Sequence, residues 1–453
     1  MDDGGRRAAG RRNRELNGPG MNATSSDTTL SAKARWTIVG LLSTSIAINL
    51  LDRQVLSVLA SELRSEFNWT NAQYGYIAVF FNLGMMCGQV PAGAFMDRVG
   101  ARTGLALIFV AWSLIAAAHA LVGGMAAAVG LSTLTGFILL RFLMGLSQCG
   151  NYTAGIKALA GLFPAATRSR AGGVFNAGAQ FGSVIAPPIV VFLASQFGWR
   201  MAFVIPSLVG LLWLLPWLSI FPDKQRMAAI AIKPAGAVAA AVPDISLGQL
   251  IQNRKVLGLF LIRVFTGPIT TFYWTWLPLY LRTGRGMSFL AVGFFASIPN
   301  LIGMSGNVVG GLLTDRLVKA TGSVDRGRKI AFTCAFMLGA LSMTMPFVTN
   351  DYLAVLLMGL ALFGNQWVSA TYIGTVGDVV PQQLAGRVNG IAGLGDNGAA
   401  LLAVLYTGVI VDQYGWTPVF FGAGLLPFLA MASVFLVLRK IEPARFELER
   451  PTR

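Results

Sequence analysis

One histidine, His119, and three cysteines, Cys87, Cys149 and Cys334, are spread over 453 residues. A histidine–cysteine metal site needs several such donors at fixed spacing, and none is present. The cysteines fall in apolar stretches, where they read as small core residues and not as disulfide partners. Charge is scarce as well. Asp, Glu, Lys and Arg make up 12% of the chain, against about 25% in a soluble domain. So few charges cannot coat a water-facing surface of this length. No nucleophile–base set stands out, so neither an enzyme nor a cofactor is expected.

What is abundant is apolar surface. Hydrophobic residues form 55% of the chain, and the 53 glycines suit close helix packing in lipid. Apolar stretches of about 20 residues recur, which reads as an all-α polytopic membrane protein. Twelve spans are expected, near 36–63, 72–95, 103–124, 132–160, 172–196, 200–221, 257–281, 289–314, 329–348, 352–376, 386–411 and 416–438. They divide the chain into a disordered tail (1–33), a six-helix bundle (34–222), a central loop (223–255), a second six-helix bundle (256–440) and a short tail (441–453). The first 33 residues have no apolar core of a signal peptide.

The net charge is +16. In a soluble chain that would suggest nucleic acid. Here the bases gather in the tails, the central loop and alternate connections, as cytoplasmic loops do. No nucleic-acid partner is expected. Both termini are placed in the cytoplasm of a cell bounded by a plasma (inner) membrane, and the lipid bilayer is the main partner. A monomer is expected.

The halves repeat. "FPAATRSRAGGVFNAGAQFG" near 163–182 matches "VPQQLAGRVNGIAGLGDNGA" near 380–399, and "GAFMDR" at 93–98 matches "GLLTDR" at 311–316. For Arg170 and Arg387 the offset is 387 − 170 = 217, and for Trp199 and Trp416 it is again 416 − 199 = 217. A parallel duplication of this kind places a binding cavity between the halves, near the bilayer midplane. In "GAFMDRVGAR", Gly93 and Gly100 permit tight turns. Asp97 can cap a neighbouring helix end, and Arg98 and Arg102 can clamp the cytoplasmic side, with Asp315 and Arg316 as their counterparts. A gating role competes with that of an ordinary basic turn.

This loop resembles the signature of the major facilitator superfamily. "INLLDRQVLSVLASELRSEF", "RFLMGLSQCGNYTAGIKALAGLFP", "GVFNAGAQFGSVIAPP" and "GWRMAF" are similar to the anion:cation symporter family, chiefly its bacterial hexuronate and sugar-acid branch. "IRVFTGPITTFYWTWLPLYL", "TGSVDRGRKIAF" and "ALFGNQWVSATYIGTVGDVVP" extend the likeness, which runs from about Ala34 to Ile441. The resemblance implies proton-driven uptake of a small organic carboxylate. Arg53 and Arg141 match positions that hold the carboxylate or line its path, and Asp52 matches an acid associated with proton coupling.

The residues themselves point the same way. Arg53, Arg141 and Arg263 lie inside apolar spans, where an ionisable group at the helix centre costs at least ~2.5 kcal/mol. A guanidinium binds carboxylate bidentately. The alternative is internal salt bridging. Departures from the family pattern are Gln148 for Glu, Met85 for Tyr, Gly267 for Asp in "TGP", and Met304 for another Asp. Gln148 can hydrogen-bond but cannot titrate. One acid is gained: Asp396 in "GLGDNGAA" either compensates for Gln148 in proton coupling or pairs with Arg263. By the repeat, Asn397 corresponds to Gln180, and two such amides suit a polyhydroxy acid. Asp396 is expected to point about 100° away from the cavity. Asn176, Asn300 and Asn365 either face the cavity or hydrogen-bond between helices. In "FYWTW", Trp276 reads as interfacial and Tyr273 as a stacking face with a hydroxyl.

The expected function is secondary transport of a hexuronate or aldonate-type sugar acid with protons. A weakly coupled facilitator or exchanger is the runner-up, and a transporter-like sensor ranks below it.

Overall fold

The computed structural model describes residues 30–223, 227 and 247–444. Most of the expected tail at 1–33, most of the central loop at 223–255 and the end of the tail at 441–453 lie outside the described residues.

Each half begins its spans with the same devices. Thr70 forms a capping box with Gln73, and Ser288 accepts from the backbone N–H of Ala291, at equivalent positions (288 − 70 = 218). Ser132 and Asn350 cap helices at the same offset (350 − 132 = 218). These short polar side chains satisfy backbone N–H groups that a helix start leaves unpaired. Among the described residues, eleven helices are long and apolar enough to cross a membrane: α1 (Ala32–Val58), α3 (Ala101–Ala128), α4 (Thr133–Leu162), α5 (Arg170–Phe197), α6 (Trp199–Ile220), α7 (Arg254–Thr283), α8 (Phe289–Thr321), α9 (Val324–Phe347), α10 (Asp351–Val379), α11 (Leu384–Tyr414) and α12 (Thr417–Leu438). The twelfth, α2 (Asn71–Val99), is a span whose arms meet at 50° beside Pro91. No strand occurs among the described residues.

The duplication is visible in the helices themselves. The continuous helix that carries α5 runs Ala165–Phe197, and that carrying α11 runs Gln382–Tyr414, both 33 residues long. Their starts and ends are both offset by 217 (382 − 165 and 414 − 197). Expected boundaries move by up to seven residues: the eighth span, expected to end at 314, runs to Thr321, and the ninth, expected from 329, starts at Val324. The first span stops at Val58 and is followed by a short helix, Ala60–Phe67, which ends at Asn68 in the left-handed conformation (φ 52°).

Close backbone approach fixes the helix that carries Arg141 against α2. A methyl group on Gly84 of α2 would strike the carbonyl of Phe142 in α4, and one on Gly145 of α4 would strike the carbonyl of Phe81 in α2. The pair works as a small-residue contact of the kind membrane helices use. It holds Phe81 and Arg141 beside the space between the halves.

The hydrogen bonds that cross between the halves cluster at one end. Asp412 of α11 accepts from Asn71 N (2.9 Å), Asn71 Nδ2 (2.7 Å) and Ala72 N (2.8 Å) at the start of α2. Tyr74 donates to the Thr275 carbonyl (2.9 Å), and Ser297 donates to the Val184 carbonyl (2.7 Å). These residues lie at the start of α2, the middle of α5, the later part of α7, the early part of α8 and the end of α11. That is the end opposite Ala32 and Leu438.

Candidate functional site

A cavity of about 390 Å³ lies between the halves, within the range of small-molecule sites. From α1 it is lined by Leu50, Arg53, Gln54 and Ser57, a helical i, i+3, i+4, i+7 face. From α7 come Arg263, Gly267, Thr270, Thr271 and Trp274, again one face. Arg141, Gln180, Asp396 and Asn397 complete the charged and amide lining, and Asn307, Gln366 and Ser369 add neutral polar groups. A neighbouring cavity of about 550 Å³ shares Arg53, Gln180 and Trp274 and adds Gln148, Met85 and Asn176.

The three arginines differ in what satisfies them. Arg53 donates through Nε to Gln148 Oε1 (3.2 Å) and contacts Met85 Sδ (3.5 Å), with its guanidinium over the Phe81 ring. Its partners are two positions where the sequence departs from the family pattern, and neither carries charge. Arg141 is 1% exposed; its Nε and Nη2 are buried without a hydrogen-bond partner. Its Nη1 reaches only Met144 Sδ (3.7 Å). A buried charge without hydrogen bonds is costly and needs a reason. Among the described residues, neither arginine has a carboxylate within ion-pair distance, whereas Arg263 pairs with Asp396 and also donates to Ser369 Oγ (3.3 Å).

Several expectations need correcting. Tyr273 does not reach the cavity: it is 1% exposed and its hydroxyl bonds Ser342 Oγ (2.8 Å). Its neighbour Trp274 faces both cavities instead, because one helical step rotates the side chain by about 100°. Asp396 was expected to point away, yet it lines the cavity beside Asn397, since the space left by Gly267 admits its carboxylate. Asp52 lines neither cavity. It is 2% exposed within α1, with Oδ2 unpartnered. Of the two alternatives expected for Asn300 and Asn365, bonding between helices holds: Asn300 donates to the Ser183 carbonyl of the other half (3.4 Å) and Asn365 to Thr270 Oγ1 (2.5 Å). Met304 lines neither cavity. Gln54, Ser57, Thr270, Thr271, Gln366 and Ser369 were missed. Their only sequence signal is spacing from Arg53 and Arg263, which needs a known helix phase to be read.

The family model described as Major Facilitator Superfamily matches residues 42–323 and 320–453. The chain belongs to the Major Facilitator Superfamily. Among curated relatives, the probable galactarate/D-glucarate transporter GudP of Bacillus subtilis is 29% identical over 430 residues, covering 91% of this chain and 92% of that one. The hexuronate transporter of Bacillus subtilis is 30% identical over 414 residues, covering 89% and 95%. That of Escherichia coli is 28% identical over 419 residues, covering 89% and 94%. The D-xylose–proton symporter structure superposes with a TM-score of 0.72 at 16% identity, covering 90% of this chain and 98% of that one. A bacterial homologue of the lysosomal transporter Spinster, inward-facing and unoccupied, gives 0.70 at 16%, covering 91% and 96%. The chain is therefore a multi-pass membrane transporter and not an enzyme.

Within this superfamily member the loop after α2 is tied inside its own half. Asp97 was expected to cap a neighbouring helix, but it pairs with Lys157 of α4. Arg102, expected to clamp the cytoplasmic side, donates to the Leu218 carbonyl of α6. Gly100 takes φ +86° between α2 and α3, a conformation that glycine adopts freely. Gly93 is half-buried in α2 and Arg98 is exposed near its end, while Asp315 and Arg316 are exposed on α8. None of the cross-half hydrogen bonds described above involves this loop.

Proposed function

We propose that the protein carries a small organic anion of the sugar-acid class, a hexuronate or aldonate, together with protons across the plasma (inner) membrane. It acts as a monomer with both termini in the cytoplasm. The observation that carries this reading is the pair Arg53 and Arg141, two cavity-lining guanidiniums held by neutral partners or none. A carboxylate is the ligand that two such forks suit best. The hydroxyl and amide groups of Gln180, Thr270, Thr271, Asn307, Gln366 and Asn397 match the hydroxyls of a sugar chain. Relatives named as hexuronate and galactarate/D-glucarate transporters support the same substrate class.

Transport follows by rocking the two six-helix units, 34–222 and 256–440, around this site. The cross-half bonds at the end opposite the termini leave the cavity facing the cytoplasm in this conformation. Closure of that side would then engage Gly93, Asp97, Arg98, Gly100 and Arg102 with Asp315 and Arg316. Asp52, buried beside the arginine helix face, is the coupling acid, with Asp396 as the second proton-linked carboxylate. A facilitator or exchanger is the second reading. It is favoured by Gln148, which holds Arg53 with an amide where a carboxylate would titrate.

The test is uptake into proteoliposomes of labelled hexuronates, aldonates and aromatic acids, with and without a pH gradient. Gradient-driven accumulation of the sugar acids supports symport. Uptake that ignores the gradient sinks symport and leaves the facilitator, and no uptake or exchange of any acid sinks the anion-transport reading.

A further inference from the structure

Asp396 sits where a substrate's second carboxylate would otherwise go. It pairs with Arg263, and both line the cavity. Its Oδ1 is buried without a hydrogen-bond partner. The carboxylate occupies the space above Gly267, so closely that any side chain at position 267 would strike it. The C-terminal half therefore brings one guanidinium to the cavity and neutralises it internally. The N-terminal half brings two, Arg53 and Arg141, and pairs neither with an acid among the described residues.

We propose that Asp396 is a specificity-determining residue: it acts as a built-in carboxylate that satisfies Arg263 and makes the site select sugar acids with one carboxylate over those with two. The inference rests on the sugar-acid reading above and deepens it. A monocarboxylate places its charged end at Arg53 and Arg141. Its neutral end then meets hydroxyl and amide groups such as Thr270, Thr271 and Asn397. A dicarboxylate brings its second charge toward a carboxylate already there. That approach is repulsive, and Arg263 can answer it only by giving up Asp396. Discrimination here comes from an unfavourable contact built against the wrong substrate as much as from contacts to the right one.

The test uses an aldonate and an aldarate of the same configuration, galactonate and galactarate, which differ at one terminal carbon (CH2OH against carboxylate). Binding to the purified full-length protein is measured by calorimetry or by thermal stabilisation in detergent. Wild type should bind the aldonate at least ~10-fold more tightly, the factor expected for one unfavourable charged contact of about 1.4 kcal/mol. Asp396→Asn should cut that ratio by ~10-fold or invert it, because Arg263 is then free for the second carboxylate. Asp396→Glu should restore the preference. A merely structural pair would weaken both ligands alike and leave the ratio unmoved, which would overturn the proposal. So would wild type that binds the aldarate as tightly as the aldonate, a result readable even where the variants do not express. Failure of both acids to bind wild type overturns the sugar-acid reading, and with it this one.

Discussion

Replacing Asp412 with alanine should loosen the end of the molecule opposite the termini. Asp412 of α11 accepts three hydrogen bonds from the first residues of α2, two of them from backbone N–H groups. A carboxylate at a helix start is favoured by both the unpaired N–H groups and the helix dipole. Hydrogen bonds to charged groups contribute about 1.5–3 kcal/mol each when sheltered. Asp412 itself is exposed, which screens that strength, so the three together are assigned about 1–2 kcal/mol. At 1.4 kcal/mol per factor of ten, that is a ~5- to 30-fold shift toward the conformation open on this side. Full opening is not expected, because the Tyr74–Thr275, Ser297–Val184 and Asn300–Ser183 bonds remain. The assay is a pulsed electron-spin distance measurement between labels at Ser65 and Gln413, in a background without Cys87, Cys149 and Cys334. The variant should gain a longer-distance population that is minor in wild type. An unchanged distance distribution would refute the latch.

Gln148→Glu should place an acid against Arg53 and compete with the substrate, weakening anion binding by ~10-fold or more; unchanged affinity in a calorimetric titration would show that Arg53 does not meet the carboxylate. Asp52→Asn should leave binding and exchange intact while abolishing gradient-driven accumulation, and retained accumulation would remove Asp52 as the coupling acid. Gly145→Leu should lower thermal stability sharply, since the new side chain meets the Phe81 carbonyl in a close-packed contact where overpacking costs about 1–3 kcal/mol or more; a melting temperature equal to wild type would contradict the α2–α4 contact.

The architecture was legible because lipid as solvent leaves few choices. Twelve apolar stretches, alternate basic connections and a repeat at a fixed offset correspond to twelve helices, two of which share length and offset. The arginines were legible for the same reason, since charge in an apolar run draws attention to itself. Helix phase was not legible. Tyr273 and Trp274 are adjacent and chemically similar, and only the packing of α7 decides which one turns to the cavity. Asp396 shows the other limit. Its place depends on the empty space at Gly267 and on Arg263, 133 residues away in sequence. The missing acid of "TGP" and the added acid of "GLGDNG" look like separate departures in the chain. In space they adjoin, and the added carboxylate stands over the glycine.

Arg53 and Arg141 are proposed to receive a sugar-acid carboxylate in the cavity between the halves. The most direct test is counterflow of a labelled aldonate or hexuronate in proteoliposomes, comparing wild type with Arg141→Ala. Wild type should show saturable counterflow, competed by unlabelled sugar acid and not by the corresponding neutral sugar alcohol, and the variant should show none. Equal counterflow by both proteins, or competition by the neutral alcohol as strong as by the acid, would contradict that role.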